Sequence, residues 1–159
     1  MDPGNAVVPE CVRKMQQRRL TPLARAVFNV GDQCLEMSEM LPVVFSSAPG
    51  AVCKSLAILK AIQAGDEISP TAFILSIHNA IAGLFSIDYG NSMEMTVIAT
   101  EQGGIAFALI EALGMLHEGV NEVLIFLYDE PIADFYPIAL FNLNASFPCA
   151  LRVKNCVNR

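Results

Sequence analysis

The chain has only two histidines, His78 and His117, in 159 residues, and a structural role accounts for each. His78 sits beside Asn79 in an otherwise apolar helical stretch, which suits a core histidine with a hydrogen-bond partner. His117 falls in the last turn of a predicted helix, where a cation complements the dipole. Asp129 and Glu130 are adjacent and followed by Pro131, which reads as a solvated loop rather than an acid–base pair. There is no Gly-x-Gly-x-x-Gly, no phosphate loop and no Gly-x-Ser-x-Gly elbow, and Gly103-Gly104 alone does not support a phosphate site. Cys11, Cys34, Cys53, Cys149 and Cys156 match no zinc or redox spacing. Their odd number argues against a disulfide framework, so they read as reduced thiols. Neither a metal nor a cofactor is expected. The most informative segment is Val97-Ile-Ala-Thr-Glu-Gln-Gly-Gly104, a strand, a sharp turn and a helix start. Such a turn can hold a nucleophile against backbone N–H groups. Here it offers only Glu101 and Gln102, and a glutamine amide hydrogen-bonds but does not attack.

The elements that position these residues alternate. A helix over 11–37 carries Val12, Met15, Leu20, Leu23, Val27 and Val30, with Pro22 kinking or restarting it. Val43–Ser47 is a short strand, broken by Ala48-Pro49-Gly50. A helix over 51–64 aligns Val52, Leu56, Leu59 and Ile62, and Gly65 stops it. Ser69 caps and Pro70 opens a helix running to about Tyr89, apolar nearly all round and therefore buried. Met93–Ala99 is a strand, and the following helix to about Glu118 presents Ile105, Leu109, Ala112 and Leu116. Val123–Tyr128 is unbroken and apolar, as in a strand covered on both faces. Residues 138–153 give one or two more strands. This order makes an α/β layer structure with a partly parallel sheet.

Composition narrows the classes. Hydrophobic residues make up 53% and charged residues 16%, which excludes disorder. No apolar run approaches the length of a membrane span; the best, Ala106–Leu116, is broken by Glu111. The opening MDPGNAVVPE has no basic-then-apolar pattern of a secretory signal. The apolar excess fits a well-filled core or a core continued into another chain; composition alone favours the first. A net charge of −6 argues against nucleic-acid binding. Half the basic residues, Arg13, Lys14, Arg18, Arg19 and Arg25, cluster near the N-terminus, as a solvated helix face or a dock for an acidic partner.

Ser69-Pro-Thr-Ala-Phe-Ile-Leu-Ser-Ile-His-Asn-Ala-Ile-Ala-Gly-Leu-Phe-Ser-Ile87 resembles the helix before the active-site strand in ketosynthases of the thiolase superfamily. Ile98-Ala-Thr-Glu-Gln-Gly-Gly104 resembles their nucleophile turn, with Gln102 where the acyl-accepting cysteine would be. Glu-Gln followed by glycines is similar to the same stretch of chain length factors in type II polyketide systems, and the strand Glu122–Pro131 is similar to the one that follows in that half-fold. The resemblance is strongest over 12–137 and points to the ketosynthase-like family associated with aryl polyene biosynthesis.

That resemblance implies a single domain over 1–159: one thiolase-like half-fold, a mixed sheet with helices packed on it. The family's catalytic histidines belong to a second half, so His78 and His117 do not take those roles. The family also begins with a strand before its first helix, which this sequence does not show, so a shortened or variable N-terminus is expected. The implied role is a cytoplasmic, non-catalytic chain length factor in an obligate heterodimer or higher hetero-oligomer with an active ketosynthase. Acyl carrier protein would bind transiently through Arg13, Lys14, Arg18 and Arg19. Phe73, Ile77, His78, Ala80, Ile81, Leu84 and Phe85 would line the acyl tunnel, and Met95 and Val97 the interface strand. A second reading makes Gln102 the stabiliser of an enolate formed by decarboxylating malonyl-carrier protein; a third is a carrier-protein docking scaffold.

Overall fold

The computed structural model describes residues 20–36, 38–50, 52–100, 104–130 and 147–155. Their elements, in chain order, are α1 (Pro22–Asp32), β1 (Val43–Ser46), α2 (Val52–Ala64), α3 (Pro70–Ile74), α4 (Ala80–Tyr89), β2 (Met95–Ile98), α5 (Gly104–His117), β3 (Glu122–Asp129) and β4 (Phe147–Lys154). The strands form one mixed sheet in the order β2-β1-β3-β4. β1 is parallel to both β2 and β3, with Phe45 opposite Val97 on one side and Phe126 on the other. β4 is antiparallel to β3, with Ile125 opposite Leu151. The α/β half-fold with a mixed sheet expected from the sequence is therefore observed.

Alternation along the strands builds two cores. Phe45, Leu124, Phe126 and Tyr128 point to one face, where α1 and α4 supply Leu23, Val27, Phe28, Ile81 and Phe85. Val44, Val123 and Ile125 point to the other, where α5 supplies Ala108, Ala112, Met115 and Leu116. The crossover from β1 to β2 and the one from β2 to β3 run in opposite directions along the sheet. Their helices consequently pack on opposite faces, as the single hand of such connections requires.

Local chemistry explains the helix ends. Thr21 Oγ1 accepts the Ala24 N–H at 3.0 Å and Pro22 opens α1, so Pro22 starts the helix rather than kinking it. The residues before Leu20, and 131–146, lie outside those described. The expected helix from Ser69 to Tyr89 is instead two. Ser76 donates its hydroxyl to Phe73 O at 2.7 Å, and Ser55 donates to Ser76 O at 2.9 Å. These side-chain bonds compete with the helical ladder and stop α3 after one turn. Ser69 occupies the cap position but makes no side-chain cap bond. The break turns apolar residues outward: Phe73 and Ile74 are exposed, as are Leu59 and Ile62 on α2, which buries no residue fully.

The far edge is pinned electrostatically. Arg152 on β4 bonds Glu39 at 2.9 Å, the Cys34 carbonyl at 3.1 Å and also Glu122, which Lys154 approaches at 3.0 Å. The backbone N–H of Glu36 and the Arg152 guanidinium hold the Glu39 carboxyl below its usual range, and Lys154 with Arg152 does the same for Glu122.

Candidate functional site

The parallel strands β1, β2 and β3 all end at one edge of the sheet, and successive crossovers leave it on opposite faces. That edge is where an α/β sheet opens a crevice for ligands. A cavity of about 330 Å³ lies there, lined by Ser46, Ser47, Ala48, Thr100, Gly104, Ile105, Leu127, Tyr128, Asp129 and Phe147. Thr100 and Gly104 flank residues 101–103 in the sequence, so the cavity touches both ends of that segment. Glu101 and Gln102 themselves, and the basic residues Arg13, Lys14, Arg18 and Arg19, lie outside the described residues. Ser46 donates to Gly104 O at 3.2 Å, and a Cβ on Gly104 would sit only 2.9 Å from Ser46 Oγ. A side chain there would have to displace the Ser46 hydroxyl for α5 to begin this close to β1.

The end of β3 carries a buried polar network. Asp129 Oδ1 accepts the Ser47 hydroxyl at 2.9 Å and the Ala48 N–H at 2.8 Å, while Ser47 Oγ accepts the Gly50 N–H at 3.0 Å. Burial raises the Asp129 pKa, opposed by those bonds and by nearby His78. Gly50 has φ +56°, and a Cβ there would collide with His78 Nδ1. Serine, aspartate and histidine meet here, but Ser47 gives its proton to Asp129 and not to an imidazole. This is a positioning network, not a nucleophile with its base.

A second cavity of about 220 Å³ opens between the start of α1, α2 and the α3–α4 turn. Leu75, Ile77, His78, Ala80, Ile81 and Leu84 line it, together with Cys53, Lys54, Tyr128 and Glu130. Five of the seven tunnel residues expected from the sequence therefore share one wall. The other two do not. Phe73 is 57% exposed on α3, and Phe85 is 1% exposed in the aromatic core. Met95 and Val97 lie on β2, an outer strand of the sheet, half-buried against the α1–α4 core.

Three sequence expectations need correction. Asp129 and Glu130 are not a solvated loop: both are partly buried, and burial raises the Glu130 pKa against the Cys53 hydrogen bond and the Lys54 charge. Burial likewise lowers Lys54, which Glu130 opposes. His78 is not a fully satisfied core histidine, because its Nε2 is buried without a partner. Tyr128, which sequence reasoning treated as strand filler, lines both cavities, and burial pushes its hydroxyl pKa well up. The available signal was position: polar residues just past the carboxyl end of a parallel strand face the crevice. Among the described residues, Cys34, Cys53 and Cys149 form no disulfide. Among the described residues no cluster could hold a metal, and no helix is long and apolar enough to cross a membrane.

The family model described as beta-ketoacyl synthase, N-terminal domain, matches residues 2–157. Among solved structures, the chain is similar to a ketosynthase (ApeO) in complex with its chain length factor (ApeC) from Xenorhabdus doucetiae. That match has a TM-score of 0.82 and 23% identity, over 99% of this chain and 68% of that one. The ishigamide ketosynthase/chain length factor gives a TM-score of 0.75 and 14% identity, over 100% of this chain and 49% of that one. A beta-ketoacyl synthase from Burkholderia phymatum STM815 gives 0.63 and 14%, over 80% and 34%. At such identities the likeness is one of fold, and the chain spans about half and a third of the latter two. No curated protein matches.

Proposed function

Because the chain belongs to the beta-ketoacyl synthase N-terminal domain family, we propose that it is a chain length factor: a subunit that forms no acyl bond itself, pairs with an active ketosynthase and shapes its acyl tunnel. The observation that carries this reading is Gln102, which stands in the sequence between β2 and α5 at the position that the resemblance matches to the family's acyl-accepting cysteine. The structural likeness to ketosynthase/chain length factor complexes supports the same partner. Among the described residues, Met95 and Val97 lie on the outermost strand of the sheet, where a partner strand can add. Ile77, Ile81 and Leu84 then form the wall at which a growing chain stops. Arg13, Lys14, Arg18 and Arg19 supply positive charge for transient docking of acyl carrier protein. The pathway class that fits best is aryl polyene or another type II polyketide-like or fatty-acid-like synthesis, in the cytoplasm.

The decarboxylase alternative needs an imidazole at the turn. Among the described residues, the cavity beside the turn is lined by no histidine, and His78 lines the other. This favours the non-catalytic reading.

Co-expression with candidate ketosynthases tests it. One of them is expected to co-elute as a heterodimer or larger hetero-oligomer and to condense acyl units only when this chain is present. Within that complex, Leu84→Ala is expected to lengthen the product without abolishing synthesis. A chain that binds no ketosynthase, or a complex whose product length ignores Leu84, Ile77 and Ile81, contradicts the proposal.

A further inference from the structure

One side of α5 packs on the sheet through Ala108, Ala112, Met115 and Leu116. The opposite side is an exposed stripe of Ala106, Phe107, Ile110, Leu113, Gly114 and His117. Phe107, Ile110 and Leu113 are 52%, 64% and 59% exposed. The one acid of the helix, Glu111, is turned aside to accept the Thr96 hydroxyl at 2.9 Å, so no carboxylate interrupts the stripe. At these exposures the three large side chains alone present about 300–400 Å² of surface, as much as the largest apolar patch of a typical monomer. Two such stripes face to face double that area. Ala106, Gly114 and His117 bring the total toward about 1,000 Å², the size at which an interface becomes specific. The place of the stripe argues against the ketosynthase as its cover. α5 lies over β1 and β3 more than over β2, whereas the proposed ketosynthase strand adds at β2.

We propose that a second copy of this chain covers the stripe, the two α5 helices pairing antiparallel about a two-fold axis through Ile110. A two-fold interface must be self-complementary, and the helical spacing makes this stripe so. Ala106 and Gly114 stand one turn to either side of Ile110, so each Ala106 meets Gly114 of the other copy. Phe107 likewise meets Leu113 of the other copy. Nothing lies within 4 Å of a Cβ built on Gly114, which leaves room there for the second helix. The small residues let the helix axes approach, since the spacing of two helices is set by the side chains at their contact. The pairing needs no ketosynthase. Where the chain length factor reading also holds, both β2 edges stay open and the complex contains two copies of each subunit.

Sedimentation velocity of the full chain over a range of concentrations tests the pairing. A discrete monomer–dimer equilibrium is expected. Gly114→Phe separates this defined pairing from unspecific apolar association, because it adds apolar surface yet overfills the crossing. Its dimer dissociation constant is expected to rise about tenfold or more, the scale of overpacking a close contact. Its melting temperature is expected not to fall, since the position is open and glycine is a poor helix former. Should Gly114→Phe unfold, Ala106→Phe, which overfills the same crossing from the other side, must weaken the dimer instead. A parent chain that is monomeric throughout, a ladder of larger species, or a variant dimer as tight as the parent's overturns the inference. With a co-eluting ketosynthase, native mass is expected to show two copies of each subunit, and one of each for Gly114→Phe. One of each in the unmodified complex hands the stripe to the ketosynthase and overturns the pairing. If no ketosynthase co-elutes, only the proposed function fails, and sedimentation of the chain alone still decides the pairing.

Discussion

Replacing Phe85 by alanine is expected to unfold the chain or leave it barely folded. Phe85 packs edge-on against Phe28, Phe45 and Phe126, with ring centroids 5.9, 5.7 and 5.4 Å away, and stacks on Tyr89 at 4.4 Å. It joins α4 to α1 and to the central strands in one aromatic cluster. The cluster has no slack: a Cβ on Gly31 would lie 2.7 Å from the Phe126 ring. Truncating a buried phenylalanine costs about 3–5 kcal/mol, and lost aromatic pairs add roughly 0.5–1.5 kcal/mol each. Total stabilities are only about 5–15 kcal/mol. Phe73→Ala is the contrast. Its side chain is 57% exposed, so its removal is expected to change stability by no more than about 0.5 kcal/mol. Denaturant midpoints of the two variants separate them. A Phe85→Ala chain as stable as the parent would contradict the core assignment and return Phe85 to the tunnel wall.

The second large effect concerns association. α5 is apolar on two sides. Ala108, Ala112, Met115 and Leu116 face the sheet, while Phe107, Ile110 and Leu113 are 52%, 64% and 59% exposed on the outer side. A helix hydrophobic all round belongs in an interior, so this outer stripe needs a covering layer. Without one, the chain is expected to self-associate. Ile110→Asp with Leu113→Asp is expected to yield monomer, with a melting temperature within a few degrees of the parent because neither side chain is packed. Sedimentation velocity and thermal melts read both properties. A parent chain that stays monomeric at high concentration would remove the need for a covering partner, and a double variant that unfolds would place these residues in the core.

Sequence patterning revealed the layer order well, and the reasons are physical. Val123–Tyr128 is a continuous apolar run because β3, like β1, is covered on both faces, and Pro22 and Gly104 mark helix starts where the structure needs them. What patterning could not reveal depends on side chains meeting across the fold. The α3–α4 break arises from Ser55 reaching Ser76 twenty-one positions away, which no local period encodes. Ile105 reads as part of the inner face of α5 but is half-exposed, because the helix begins against Ser46 and turns that residue toward the cavity. The polar network of Ser47, Gly50, His78 and Asp129 joins three separate segments. Each residue alone looks like loop or core. The cavity wall was half legible: helical spacing grouped Ile77, Ile81 and Leu84, which share the cavity, whereas Phe73 and Phe85 were assigned by size and fall outside it.

The central claim is that this chain carries no acyl group and its partner does. Incubating the purified complex with an acyl donor and weighing both subunits intact tests it directly. The account predicts an acyl adduct on the ketosynthase alone, with this chain at its unmodified mass. An adduct on this chain, retained after the partner is removed, would contradict it.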